Sequence, residues 1–317
     1  DLVRSRGLGD VYKRQVSYPG VMFILHSDVC APYIYTYGTE AQKKKFLPGA
    51  CTGENILAVA MTEPFAGSDL QAIRTSAVKK GDRYILNGSK TFISNGILNN
   101  TVIVAAKTDV KAEKAYQGMS LFLVEDSTKG YVKARKLEKI GLHSQDTAEL
   151  VFEDCEIPEE NLLGEVGKGF IYLMEKLQQE RLVCAIGAVA GMWGVLGITK
   201  KYINERVAFG RPLSKFQHIR FKMAEMFTIA ELAQVFVDRL TEEHIAKQDV
   251  TTETCMAKWW TTEMLNDIVD DCLQFFGGYG YMEEYPIARI YRDVRVNTIY
   301  AGTTEIMKEL ISRRIPI

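Results

Sequence analysis

Ile56-Leu57-Ala58-Val59-Ala60-Met61, running straight into Thr62-Glu63-Pro64-Phe65-Ala66-Gly67-Ser68-Asp69, marks the point where the chain changes character. Six consecutive apolar residues read as a buried strand, and the Pro, Gly and hydroxyl residues after them read as a loop. Upstream, from Val16 to about Gly53, the pattern is helical, with a short helix opened by Thr39 and ended by Pro48. Downstream, to about Leu163, the period is two. Ala77–Asn87 alternates around a Lys80-Gly81-Asp82 turn, and Val102–Ala106, Ser120–Val124 and Glu149–Phe152 read as further strands. From Gly167 the chain returns to long helices, at about 168–205, 213–247, 251–276 and 303–314. The fold class predicted is α+β, in three segments. A helical N-terminal segment covers 16–57, a middle antiparallel β-domain 58–165, and a C-terminal four-helix bundle 166–317. No long helices alternate with the strands and no G-x-G-x-x-G follows one, so a Rossmann unit is not supported.

Composition narrows the function classes. The 317 residues carry 39 Lys+Arg against 40 Asp+Glu, so no basic excess exists to neutralise nucleic-acid phosphates. Mean hydropathy is −0.08, and no apolar run is expected to reach the roughly 20 residues of a membrane span. The six cysteines are scattered, without C-x-x-C, and only four histidines could join them. No metal site is expected, and the thiols read as free and buried in a reducing compartment. Residues 1–15, DLVRSRGLGDVYKRQ, are basic and lack the apolar core of a secretory signal. They resemble translated sequencing-library adapter, which would place the natural start further upstream and leave the N-terminal helical segment truncated.

Six stretches could carry chemistry. The loop Met61–Asp69 exposes N–H groups and hydroxyls suited to phosphate or to the polar edge of a flat ring, though a strand-end turn explains it equally. Phe92-Ile93-Ser94-Asn95-Gly96 could cover such a ring, or be a simple turn. Leu173, Leu177, Glu180, Cys184 and Ala188 fall on one helix face, where an acid is costly unless paired or functional. Glu180 is therefore a candidate general base, with a structural ion pair as the alternative. Arg206–Pro212 with Gln217, and Gln274–Tyr281, join helix ends to glycines where backbone can approach a ligand, or simply cap helices. Tyr300-Ala301-Gly302-Thr303-Thr304-Glu305 opens a helix whose N–H groups could meet an anion, or is an ordinary Thr cap.

Taken together and in order, MTEPFAGSD (61–69), FISNG (92–96), QQERL (178–182), ERVAFGRPL (205–213) with Gln217, QFFGGYGY (274–281) and YAGTTEI (300–306) resemble the acyl-CoA dehydrogenase family. MTEPFAGSDLQAI (61–73), NGSKTFISNG (87–96), KIGLHSQDTAEL (139–150) and EIMKELI (305–311) resemble its long-chain type. The resemblance covers residues from about 20 to 317. It implies an FAD enzyme that oxidises an acyl-CoA thioester to the trans-2-enoyl-CoA and passes electrons to electron-transfer flavoprotein. Val59, Ala60, Met61, Thr62, Gly67 and Ser68 would border the flavin ring, with Phe92, Ile93 and Ser94 on its other side. Arg206, Gln217, Gln274, Phe275, Phe276, Gly277 and Gly278 would contact FAD from a neighbouring subunit. Thr303, Thr304 and Glu305 would hold its adenosine-diphosphate portion. Ser68, Tyr172, Gln179, Arg181, Ala301 and Gly302 would line the substrate.

Many members carry the base as a Glu just before the last Gly-Thr, where this chain has Ala301. Long-chain and isovaleryl-type members place it on the first long helix of the C-terminal domain, where this chain has Glu180. Long-chain members commonly have Pro two residues before that base. Gln178 stands there instead, which leaves acyl length and branching open. The resemblance further implies a homo-oligomer, dimer or tetramer, in bacterial cytoplasm or, in a eukaryote, the mitochondrial matrix. An acyl-CoA oxidase-like enzyme and a silent relic of the fold are the competing readings.

Overall fold

The computed structural model describes residues 22–315, and the leader reading of 1–15 lies outside them. These residues form two compact units: 22–139 with 143–177, and 140–142 with 178–315. The boundary between the two units falls inside a helix, between Leu177 and Gln178.

In the first unit a π-helical turn, Leu25–Cys30, leads into α1 (Ala31–Tyr37) and α2 (Glu40–Thr52). Thr39 opens α2 with a reciprocal cap. Its side chain accepts from the Gln42 N–H, and the Gln42 side chain accepts from the Thr39 N–H. Pro48 was expected to end this helix but lies inside it. The terminator is Gly53, left-handed at φ 82°. Thr39→Ala should lower stability by about 1 kcal/mol in urea unfolding.

The sheet has eight strands: β1 (Leu57–Ala60), β2 (Ser76–Lys80), β3 (Arg83–Ser94), β4 (Thr101–Lys107), β5 (Met119–Glu125), β6 (Tyr131–Lys136), β7 (Thr147–Pro158) and β8 (Leu162–Leu163). Their order is β6-β7-β3-β2-β4-β5-β8, with β1 beside β4. Pairing is antiparallel as expected, except that β4 runs parallel to β1 and to the end of β2. β4 and β5 are buried on both faces. Val102, Val104 and Ala106 point to a core with Phe122 and Val124, while Ile103 and Ala105 meet Tyr33, Ile34 and Phe46 of α1 and α2. That double burial is why these strands read as unbroken apolar runs rather than alternating ones.

In the second unit α3 (Gly169–Glu205, packed here from Gln178 onward), α4 (Gln217–Ile245) and α5 (Thr251–Phe276) share one core, from Leu182 and Met192 to Met226, Leu265 and Phe276. The fourth helix of the expected bundle is only a nine-residue α7 (Thr304–Ser312), packed on α5 through Met307 and Ile311. Between them lies a helix not foreseen, α6 (Pro286–Val294), which adds Ile287, Ile290 and Val294 to the core. By length and composition α3 could cross a membrane, contrary to expectation, but 61% of its most apolar window is buried inside the protein. None of the six cysteines is in a disulfide; Cys51 is exposed and Cys184 half-buried, against the expectation of uniform burial.

Candidate active site

In the first unit, β1 delivers the loop Met61–Asp69 and β3 ends in Phe92-Ile93-Ser94. One buried ion pair holds both. The fully buried Lys90 ammonium donates to Glu63 Oε1 at 2.8 Å and to the Met61 carbonyl at 3.0 Å. The Glu63 carboxylate also accepts the N–H groups of Arg74 (2.6 Å) and Thr75 (3.0 Å). Burial pushes the Glu63 carboxyl up, but Lys90, Thr75 and the Arg74 N–H together outweigh it and hold it below its ordinary value. Burial likewise pushes the Lys90 ammonium down to about 8, against the attraction of Glu63. Glu63 and Ala66 exchange backbone hydrogen bonds, so the loop closes on itself and Gly67 is left with open space around its α-carbon. Ser68 is exposed beside it.

The β3–β7 register shifts between Lys90 and Ile93, and Phe92 occupies that bulge at φ 59°. The bulge turns the Phe92 ring outward, 68% exposed. Ile93 points into the core, so only its backbone is available to a ligand; Ser94 is half-buried. Asn95, also left-handed, donates to the Leu57 carbonyl at 3.0 Å and ties the turn to β1. A side chain at Gly96 would meet the Ile93 carbonyl at 2.6 Å, which explains the glycine. Tyr172 stacks on Tyr37 with centroids 4.0 Å apart, and its hydroxyl accepts the Glu165 N–H.

In the second unit, Glu180 lies on the buried face of α3, 6% exposed, between Leu177 and the half-buried Cys184. Gln179 is half-buried. Arg181 is equally buried; its guanidinium donates to Cys255 Sγ at 3.4 Å, and its Nε has no partner among the described residues. One turn along α5 from Cys255 lies Lys258, which the sequence patterns missed. It is fully buried and donates to the Gly302 carbonyl at 2.6 Å. Burial pushes its ammonium down, and Arg181 does likewise. Ala301 (φ 52°) and Gly302 (φ 98°) form a left-handed corner before α7. Thr303 caps α7, and Thr304 Oγ1 is buried without a partner among the described residues. Glu305 is exposed, its carboxyl held down by its own backbone N–H and by Thr303. Gln178 is tied to the α4–α5 connection by His244, Gln248 and Thr251.

At the other end of α5 a groove of about 750 Å³ is lined by Arg206, Gln274, Phe275, Phe276, Gly277 and Gly278, with His218 as an unforeseen member. Tyr202 stacks on Phe276 at 4.0 Å and forms its floor. Gly277 and Gly278 face open space where a side chain would project. A two-residue hairpin turn, Phe209-Gly210, joins β9 (Val207–Ala208) to β10 (Arg211–Pro212) and leaves Phe209 96% exposed. Gln217 starts α4 beside the groove without lining it. Open glycines, an orphan Thr304 hydroxyl, a lining arginine and exposed aromatics suit a large cofactor with flat rings and a diphosphate, as FAD has. Among the described residues no cluster of His, Cys, Asp or Glu could hold a metal.

Comparison with known proteins places these features in a family. Family models described as the N-terminal, middle and C-terminal domains of acyl-CoA dehydrogenase match residues 12–54, 58–155 and 167–315. The mitochondrial long-chain specific acyl-CoA dehydrogenase of Sus scrofa is 49% identical over 97% of this chain and 73% of its own. The crystal structure of an acyl-CoA dehydrogenase from Geobacillus kaustophilus superposes with a TM-score of 0.91 at 56% identity, over 92% of this chain and 77% of that one. Butyryl-CoA dehydrogenase from Megasphaera elsdenii gives 0.89 at 39% identity, over 93% and 77%. Three matching segments in chain order, on a helical–sheet–helical architecture, show that this chain belongs to the acyl-CoA dehydrogenase family of FAD-dependent oxidoreductases.

Proposed function

We propose that this protein desaturates the Cα–Cβ bond of an acyl-CoA thioester to the trans-2-enoyl-CoA, with Glu180 accepting the α-proton. The observation that carries the reading is Glu180 itself, an acid buried on α3 with 6% of its surface exposed. General base catalysis at a weakly acidic carbon needs a positioned carboxylate in a site that excludes water. Ala301, at the position where many relatives carry the base, offers only a methyl group.

FAD, when bound, supplies the acceptor for the β-hydrogen with its electron pair. Gly67, Ser68, Thr62 and the backbone of Val59, Ala60, Met61, Ile93 and Ser94 would hold the ring, with Phe92 covering it. Thr303, Thr304 and Glu305 would hold the diphosphate end, and the groove at Arg206 and Gln274–Gly278 would serve a cofactor shared with a neighbouring copy. Gln217 would flank that groove. Substrate would meet Ser68, Tyr172, Gln179, Arg181, Ala301 and Gly302. Electron-transfer flavoprotein is the proposed acceptor, and a homo-oligomer the proposed assembly.

Adding acyl-CoAs of graded chain length to the FAD-loaded protein without oxygen tests this. Bleaching of the visible flavin band, and turnover with a dye acceptor, are expected. If no acyl-CoA bleaches the flavin, the reading fails; oxygen uptake in place of dye reduction would make the protein an oxidase. Gly278→Val should project into the groove without a clash. Flavin absorbance per protein should fall severalfold while stability stays within about 0.5 kcal/mol.

A further inference from the structure

Lys258 is a lysine in the middle of a helix–helix core, 0% exposed, and it makes no ion pair among the described residues. Its ammonium donates to the Gly302 carbonyl, 2.6 Å away on the segment that enters α7. Burying an ammonium against a neutral acceptor is unfavourable, and a methionine or leucine would fill the same space without that penalty. The charge is therefore explained by what it holds. A charge-assisted hydrogen bond is stronger than a neutral one, and here it grips a corner that needs gripping. Ala301 is left-handed without being a glycine, a conformation that costs about 1–2 kcal/mol. A side chain at Gly302 would meet Met307 Cε at 2.5 Å.

The grip has a direction. The peptide from Gly302 to Thr303 is trans, so a carbonyl turned toward Lys258 turns the Thr303 N–H to the opposite side. Arg181 meets Cys255 one turn earlier on the same helix. Lys258 thus bonds one residue proposed above to line the acyl-CoA, and lies one turn from the cysteine that meets another. We propose that Lys258 is a positioning residue for the thioester: by holding the Gly302 carbonyl it fixes the orientation of the Ala301–Gly302–Thr303 backbone on which the thioester rests. This rests on the acyl-CoA reading of the site.

The test uses Lys258→Met, Lys258→Gln, Gly302→Ala and the Lys258→Met/Gly302→Ala double variant. In the apo-protein, Lys258→Met should speed deuterium exchange at the amides of residues 302–304 and leave those of β3 unchanged. In the FAD-loaded protein the same variant should keep its flavin yet be reduced by acyl-CoA roughly 10²-fold more slowly. Lys258→Gln, which keeps a donor, should recover part of that loss. The double variant should be no slower than the slower single one, since both act through one corner. Unchanged exchange at 302–304, Gln no better than Met, or losses that multiply in the double variant would each overturn the proposal and leave Lys258 as core filling. A wild-type protein that no acyl-CoA bleaches would sink the functional reading instead; the exchange experiment needs no substrate and tells the two failures apart.

Discussion

Glu180→Gln should purify with flavin bound and fail to bleach it with acyl-CoA. The substitution keeps the size of the side chain on the buried face of α3, where Leu177 one turn earlier is also buried. It removes only the ability to take a proton. Removing a positioned general base lowers rates by roughly 10²–10⁴-fold, and stopped-flow reduction under nitrogen reads that directly. Affinity for acyl-CoA should change much less, because binding does not require proton transfer. Reduction of the variant at the wild-type rate would show that another group takes the proton. Glu180→Gly with Ala301→Glu should then return a fraction of the lost rate. Ala301 already holds a left-handed backbone without glycine, so a longer side chain there adds no new backbone strain. The glycine in α3 costs about 1 kcal/mol of helix stability, so recovery should be partial.

Lys90→Met should be the most destabilising of the single substitutions considered, by roughly 3–5 kcal/mol, because it leaves the buried Glu63 carboxylate without its counter-ion. Urea unfolding measures the loss. Adding Glu63→Gln to Lys90→Met should recover part of it, since an amide oxygen still accepts one of the Arg74 and Thr75 N–H groups. A cost under 1 kcal/mol for Lys90→Met would mean the pair does not organise the loop. The pair also sets a pH dependence. The Glu63 carboxyl is held below its ordinary 4.5, so below pH 4.5 the unfolded chain binds a proton that the native state resists. The stabilisation is present above pH 4.5 and is lost as pH falls through the native value. Glu63→Gln should flatten the acid limb of the stability curve.

The two substitutions also show what sequence alone could reach. Glu180 was legible because an acid on a stripe of Leu, Cys and Ala violates the helical period, and the violation is local. Glu63 and Lys90 were not, although they hold the loop together. They are 27 positions apart, one in the loop after β1 and one on β3, and each looks alone like an ordinary surface charge. The parallel pairing of β1 with β4 was hidden for the same reason: local alternation fixes which face a residue takes, not which strand lies alongside. Pro48 misled because a proline disfavours helix only through its missing N–H and a steric clash, and packing of Phe46 and Ala50 outweighs both. The helix Pro286–Val294 escapes a reading of period because nine residues give little more than two turns. Lys258 was within reach. It recurs at three- and four-residue spacing with Cys255, Thr261, Thr262 and Leu265, all buried, so its charge stood on the inward face of α5 as plainly as that of Glu180 on α3.

The apolar character of α3 has a consequence for how the chain is made. Leu182, Val189, Met192 and Leu196 are covered in the finished protein by α4 and α5. During synthesis those helices come later, and the roughly 70 residues from the end of α3 to Phe276 take on the order of 4–14 s to translate at 5–20 residues per second. For that interval the nascent polypeptide presents a greasy rod of the length a translocation channel or signal-recognition machinery inspects. Slowing elongation downstream of Glu205 should therefore raise the share of newborn chains that aggregate.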